Sequence, residues 1–196
     1  MSSVVIAGNT SGTITLDAPN VAGTTTLTLP TTSGTIVTTN TMPTGSVLQV
    51  VSTTKTDVFS TTSGSFVDIT GLSVSITPTS ASNKILVLLS FTMAGTGNAF
   101  SRLMRGSTAI FIGDARGTRD RVSTGDGYTG GVDNANMSNS ITYLDSPATT
   151  SATTYKLQLR AETGSFSAII NATRLDPDNF NRPTYASSIT VMEIKG

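Results

Sequence analysis

The chain has 196 residues, of which only 12% are charged, and 12 Lys and Arg balance 12 Asp and Glu to a formal net charge of zero. No nucleic-acid binding is expected from that balance, because neutralising phosphates takes clustered Lys and Arg. The absence of Cys, His and Trp excludes disulfides and thiolate metal sites and removes the commonest general base and zinc ligand.

Residues 1–44 open with a periodic pattern. Gly12, Gly23, Gly34 and Gly45 recur every 11 residues, and Thr13, Thr24 and Thr35 follow the first three. The units read GTITLDAPNVA, GTTTLTLPTTS and GTIVTTNTMPT, each a short strand closed by a Pro-containing turn. Ile14, Leu16, Val21, Leu27, Leu29, Ile36 and Val37 are too few to bury a core alone. Two readings compete for this segment: a flexible Thr-rich leader, or one that orders by winding with sister chains or by lying on a larger assembly. The basic start and apolar core of a signal peptide are lacking at Met1–Gly8. No apolar run approaches the roughly 18 residues of a membrane helix, so no membrane insertion is expected.

Past Pro43 the texture changes, and a head domain is expected over 45–196. Val47–Val51 is a strand, and 58–60 and 66–69 are short arms around Ser63-Gly64. Residues 72–77 alternate apolar with hydroxyl and stop at Pro78. Lys84–Phe91 is the longest unbroken apolar run; eight residues suit a strand rather than a helix. Residues 102–105 and 109–112 form a hairpin about Gly106-Ser107, after which 113–140 has no convincing strand signal. Ile141–Leu144 follows, then 155–162, where Tyr155, Leu157, Leu159 and Ala161 face inward between polar neighbours. Residues 166–170 and 188–194 complete the series, with a polar loop at 174–183 between them.

Eight or more short strands without a helical period predict an all-β protein. The expected fold is an antiparallel, jelly-roll-like β-sandwich with an extended Thr/Gly-rich N-terminal segment. Strands 72–77 and 155–162 have one wet face, whereas 47–51, 85–91 and 189–194 are apolar on both. A two-layer monomer would show one-sided strands nearly everywhere. The two-sided set therefore predicts one sheet covered again by copies of itself, through Val47, Val51, Leu86, Leu88, Ile189 and Val191.

Candidate contact residues concentrate in the two long loops, where function commonly resides. Arg116, Arg119 and Arg121, interleaved with Asp114 and Asp120, read first as a mixed-charge loop pairing internally or across subunits; the alternative is a patch for a sulfated or phosphorylated surface glycan, with Tyr128 stacking on a sugar ring. Asp176 and Asp178 beside Asn179 supply oxygens, but calcium takes six to eight and the Asp-x-Asp-x-Asp-Gly pattern is missing. No metal, cofactor or catalytic set is expected: ten of the twelve acids are Asp, mostly in turns.

The leader GTITLDAPNVAGTTTLTLPTTSGTIVTT is similar to N-terminal repeats in tail-fibre and other virion structural proteins of tailed bacteriophages, especially marine ones. SITYLDSPATTSATTYKLQLRAETGSFSAIIN, with the closing SSITVMEI, resembles the C-terminal sandwich heads of the same proteins. The strand order also resembles jelly-roll heads of the complement C1q and tumour-necrosis-factor type, which assemble as trimers. The resemblance implies a non-enzymatic homotrimer in the virion, joined to other virion proteins through residues 1–44. Its head would meet a host surface glycan as a tail fibre or receptor-binding protein. The alternatives are a capsid decoration or cement protein and a lectin unrelated to viruses.

Overall fold

A computed structural model describes residues 3–7, 11–17, 31, 42–126, 132 and 134–196. The chain divides into two compact units, Met1–Asn40 and Thr41–Gly196, four residues before the boundary expected from sequence. Within the first unit, β1 (Ser3–Ala7) and β2 (Thr13–Asp17) form an antiparallel pair, with Ser3 opposite Asp17 and Ala7 opposite Thr13. Apart from Thr31 and residues 42–44, the second and third 11-residue repeats lie outside the described residues.

The second unit is an antiparallel sandwich, and no helix occurs among the described residues. Its first sheet is built on β3 (Val47–Lys55), β4 (Phe59–Thr61), β6 (Lys84–Gly95), β10 (Met137–Asp145), β12 (Ala168–Ile170) and β13 (Ser187–Ile194). The second holds β5 (Val67–Ile76), β7 (Ala99–Arg105), β8 (Thr108–Ile110), β9 (Thr124–Asp126) and β11 (Thr153–Ala161). Lateral order is β3-β13-β6-β10 in one sheet and β5-β11-β7-β8 in the other. That is the jelly-roll arrangement, in which strands remote in sequence become neighbours and the two sheets share one core.

The core is the inward parity of these strands. Ile85, Val87, Leu89, Phe91 and Met93 of β6 meet Tyr155, Leu157 and Leu159 of β11, with Leu72, Val74 and Ile76 of β5 and Leu103 of β7. The strands that read as two-sided, 47–51, 85–91 and 189–194, are three neighbours in the first sheet, and the one-sided pair 72–77 and 155–162 are neighbours in the second.

Two elements differ from the sequence reading. The arms 66–69 and 72–77 are one strand, β5, because Thr70-Gly71 makes a bulge: Ile69 and Leu72 are both buried and Gly71 has φ +80°. The three extra residues between Asp68 and Ser73, set against Lys156–Gln158 of β11, break the alternation, so one strand reads as two. Residues 113–140 also contain a strand, β9, and the start of β10. Thr124-Gly125-Asp126 has almost no apolar content, and its pairing with Ala99–Ser101 is set by β7 rather than by its own composition.

Register gives the head two poles. At the entry pole, Gly45 N–H donates to Lys195 O at 2.8 Å and Lys195 N–H to Ser46 O at 2.9 Å, tying the start of the unit to its last strand. The turns 77–83, 106–107 and 146–152 lie at this pole; 56–58, 96–98, 162–167 and 171–186 lie at the distal one.

Candidate functional site

Three surfaces of the head are candidates for contact. The first is the outer face of the first sheet. Cross-strand pairing aligns Val50, Met192, Leu86 and Leu144 in one row across four strands near the entry pole. Val50 is 54% exposed and Leu144 46% exposed, with Leu86 and Met192 half-buried between them. Below that row lie Ser52, Thr190, Leu88 and Thr142, then Thr54, Ser188, Ser90 and Ser140. A hollow of about 230 Å³ opens among Leu88, Ser90, Ser140, Thr142, Ser188 and Thr190.

Of the residues expected to form an intersubunit wall, Leu86 and Leu88 lie on this face and Val47 is exposed at the entry pole. Ile189 and Val191 do not. Both are fully buried in the inter-sheet core, and Val51 packs against it half-buried. Pairing decides this: Val191 sits opposite Val87 and Ile189 opposite Leu89, so they share the inward parity of β6. Met192 takes the outward position instead. Leu144 was not legible as a face residue, since only its pairing with Leu86 places it there.

The second surface is the distal loop 171–186, whose base is locked from below. Asn171 is fully buried with φ +67°, a conformation Asn tolerates better than most side chains. Its Nδ2 donates to the carbonyls of Lys55 at 2.9 Å and Asp57 at 3.1 Å, and its Oδ1 accepts from Ser187 Oγ at 2.6 Å. Asn136 Nδ2 donates to Tyr185 Oη at 2.8 Å, and Arg182 N–H closes a turn on Asn179 O at 2.8 Å. On this scaffold Phe180 stands 95% exposed, with Asp176 and Asp178 exposed nearby in sequence. Sequence reasoning named the two acids and passed over the phenylalanine, which a turn-rich polar loop gives no apolar reason to carry.

The third surface is the outer face of the second sheet, reached by the loop after β8. Asp120 pairs with Arg160 of β11, and Arg121 Nε donates to Gly113 O at 2.6 Å. Arg116, Arg119 and Arg121 are all exposed. Tyr128 lies outside the described residues. The two candidate groups are tied to different sheets: Asp120 of the arginine loop pairs with Arg160 of β11, while the Asp176–Asp178 loop is anchored through Asn171 to Lys55 of β3.

Buried polar groups serve to hold these surfaces in place. Glu193 is fully buried, accepting from Thr79 N–H at 2.6 Å, Thr79 Oγ1 at 2.8 Å, Asn83 Nδ2 at 2.6 Å and Gln49 Nε2 at 2.6 Å. Burial alone would raise its pKa; the hydrogen bonds from Asn83, Gln49 and Thr79 outweigh that and hold the carboxyl below its ordinary value near 4.5. Asp145 receives Arg105 Nη1 at 2.9 Å and Tyr155 Oη at 2.7 Å. Burial, then the Asp145 carboxylate, pushes the Tyr155 phenol far up. Among the described residues no three Asp or Glu side chains converge as a metal site would require.

No protein-family model matches the chain, and no curated protein matches it in sequence. What the surfaces do must therefore be argued from their own chemistry. An apolar sheet face suits a protein partner, and an exposed aromatic on a braced loop suits a contact tip.

Proposed function

We propose that the chain is a non-enzymatic structural protein of a tailed-bacteriophage virion, a homotrimeric tail fibre or receptor-binding head that meets the host surface. The observation that carries this reading is the row Val50, Met192, Leu86 and Leu144 on a sheet that already packs its other face into the core. Covering an aliphatic side chain of this size contributes about 1.5–3 kcal/mol when complete. The simplest occupant is the same row of two sister copies, the three rows converging on a threefold axis. Residues 1–44 join the head to other virion proteins, and the chain enters the sandwich at the pole opposite the 171–186 loop. Phe180 is thereby carried away from the attachment end of the head. Three copies would present three such tips on one rigid body, raising effective concentration at a surface of repeated glycans.

The test is sedimentation of the full chain at micromolar concentration. Three copies per particle are expected, falling to one when Leu144 is replaced by Asp with the fold intact by circular dichroism. A compact wild-type monomer would defeat the trimeric reading. Immunogold labelling of virions then distinguishes a few tail-associated sites from a capsid-wide lattice, which would point to decoration instead.

A further inference from the structure

Arg102 of β7 is held in an unusual way. Its guanidinium lies 4.1 Å from the centroid of the Phe66 ring, and its Nε donates to Gln158 Oε1 at 2.9 Å. Gln158 Nε2 donates in turn to Asp68 Oδ1 at 2.7 Å, and Lys156 Nζ to Asp68 Oδ2 at 2.6 Å. One face and one edge of Arg102 are thus fixed, while its two terminal nitrogens have no hydrogen-bond partner among the described residues. A planar fork with its rotamer already paid in packing matches the two oxygens of a carboxylate or sulfate.

The neighbouring charge has the same sign. Arg160 lies 4.7 Å from the Phe100 centroid and pairs through Nη2 with Asp120, which brings the loop carrying Arg116, Arg119 and Arg121 to this sheet. Arg102, Arg116, Arg119, Arg121, Lys156 and Arg160 are six of the 12 Lys and Arg, set against Asp68, Asp114, Asp120 and Glu162, an excess of two. A chain neutral overall thus concentrates positive charge on one side of its head. None of the exposed large hydrophobic side chains belongs to β5, β7 or β11. On β5, the strand beyond β11 from Arg102, the same sheet carries exposed Thr70 and Ser73, while Ser75 Oγ bonds Thr154 Oγ1 at 2.7 Å. A protein partner would want an apolar anchor here, and a nucleic acid a longer run of unpaired cations.

We propose that the outer face of the second sheet binds an acidic polysaccharide, with the Arg102 fork taking a carboxylate or sulfate of the sugar and the β5 hydroxyls taking its hydroxyl groups. The inference rests on the host-surface reading above and gives it a ligand class and an anchor. It moves the site from the loop arginines, which supply long-range attraction, to the sheet beneath them.

The test is biolayer interferometry of the full-length protein on immobilised dextran sulfate, polygalacturonate, unmodified dextran and double-stranded DNA. Binding to either acidic polysaccharide over unmodified dextran is expected, and the stronger of the two says whether sulfate or carboxylate is the ligand group. Replacing Arg102 by Ala should weaken it at least about tenfold, the loss of one bidentate charge-assisted contact. Arg102→Lys keeps the charge but loses the fork, and should retain only part of the affinity. Phe66→Leu loosens the fork with every charge in place, and is expected to weaken binding several-fold even if Arg102→Ala folds poorly. Lys84→Ala removes one charge from the other sheet and should change affinity by less than about twofold. Equal losses in Arg102→Ala and Lys84→Ala would overturn the proposal, as would preference for unmodified dextran or for DNA. None of these outcomes touches the copy number or virion labelling on which the structural role is tested.

Discussion

Glu193 offers the sharpest test of how the head is held together. Its carboxylate joins β13, β3 and the 77–83 turn at the pole where the chain enters the sandwich, through four hydrogen bonds of 2.6–2.8 Å from neutral donors. Replacing Glu193 by Leu leaves Asn83 Nδ2, in a residue only 4% exposed, without its carboxylate partner. Nδ2 keeps its bond to Thr79 Oγ1 at 3.1 Å, but its second hydrogen is left buried and unpaired, at a cost of about 1–3 kcal/mol. Thr79 and Gln49 are better placed to find water, and each lost bond there costs about 0.5–1.5 kcal/mol. Against these stands a gain of about 1 kcal/mol from a larger apolar side chain. The net loss is about 1.5–6.5 kcal/mol, or a Tm fall of about 3–26 °C for a domain of this size. Glu193→Gln keeps the shape but turns one acceptor into a donor facing Gln49, and should cost about 1–2 kcal/mol. The pH dependence carries the argument further. A folded pKa below the unfolded one means the stabilisation is fully present above about pH 4.3 and is lost as pH falls through the folded value. Urea midpoints measured from pH 7 to pH 3 should therefore drop steeply at the acid end in the wild type and less so in Glu193→Leu. An unchanged midpoint at neutral pH together with an unchanged acid limb would refute the account.

Four further outcomes are expected. Gly95→Ala places a Cβ 2.5 Å from the Gly97 carbonyl and 3.1 Å from that of Ser167; backbone cannot yield cheaply, and the loss by thermal unfolding should be about 2–3 kcal/mol. Tyr155→Phe removes the 2.7 Å bond to Asp145 but leaves Arg105 in place, costing about 1–2 kcal/mol by urea denaturation. Leu157→Ala empties a fully buried position facing β6 and should cost about 2–5 kcal/mol in the same measurement. Phe180→Ser should leave stability within about 0.5 kcal/mol, since the ring touches almost nothing, yet, on the proposed virion role, lower host adsorption of phage carrying it.

The strands were legible wherever local chemistry spoke for itself. The Lys84–Phe91 run, the alternation through Tyr155–Ala161 and the Gly106-Ser107 turn all sit where the sequence put them. The distinction between one-sided and two-sided strands was informative as well, because it separated members of the two sheets before any pairing was known. What escaped was whatever a neighbour imposes. Thr124–Asp126 is a strand because β7 offers it hydrogen bonds, and β5 is continuous because Gly71 absorbs a bulge. The Arg102 fork joins residues 66, 102 and 158, which no spacing rule connects.

By composition and periodicity alone, this chain is committed to an all-β sandwich with a repeat-bearing leader and a hydroxyl-rich, weakly charged skin. Those properties follow from side-chain shape and solvation, which each residue carries with it. Only the tertiary structure decided which parity of Ser187–Ile194 enters the core and that Leu144 joins Val50 on an open face. With apolar residues on both sides of a strand, its own pattern is degenerate, and the register of its neighbours breaks the tie.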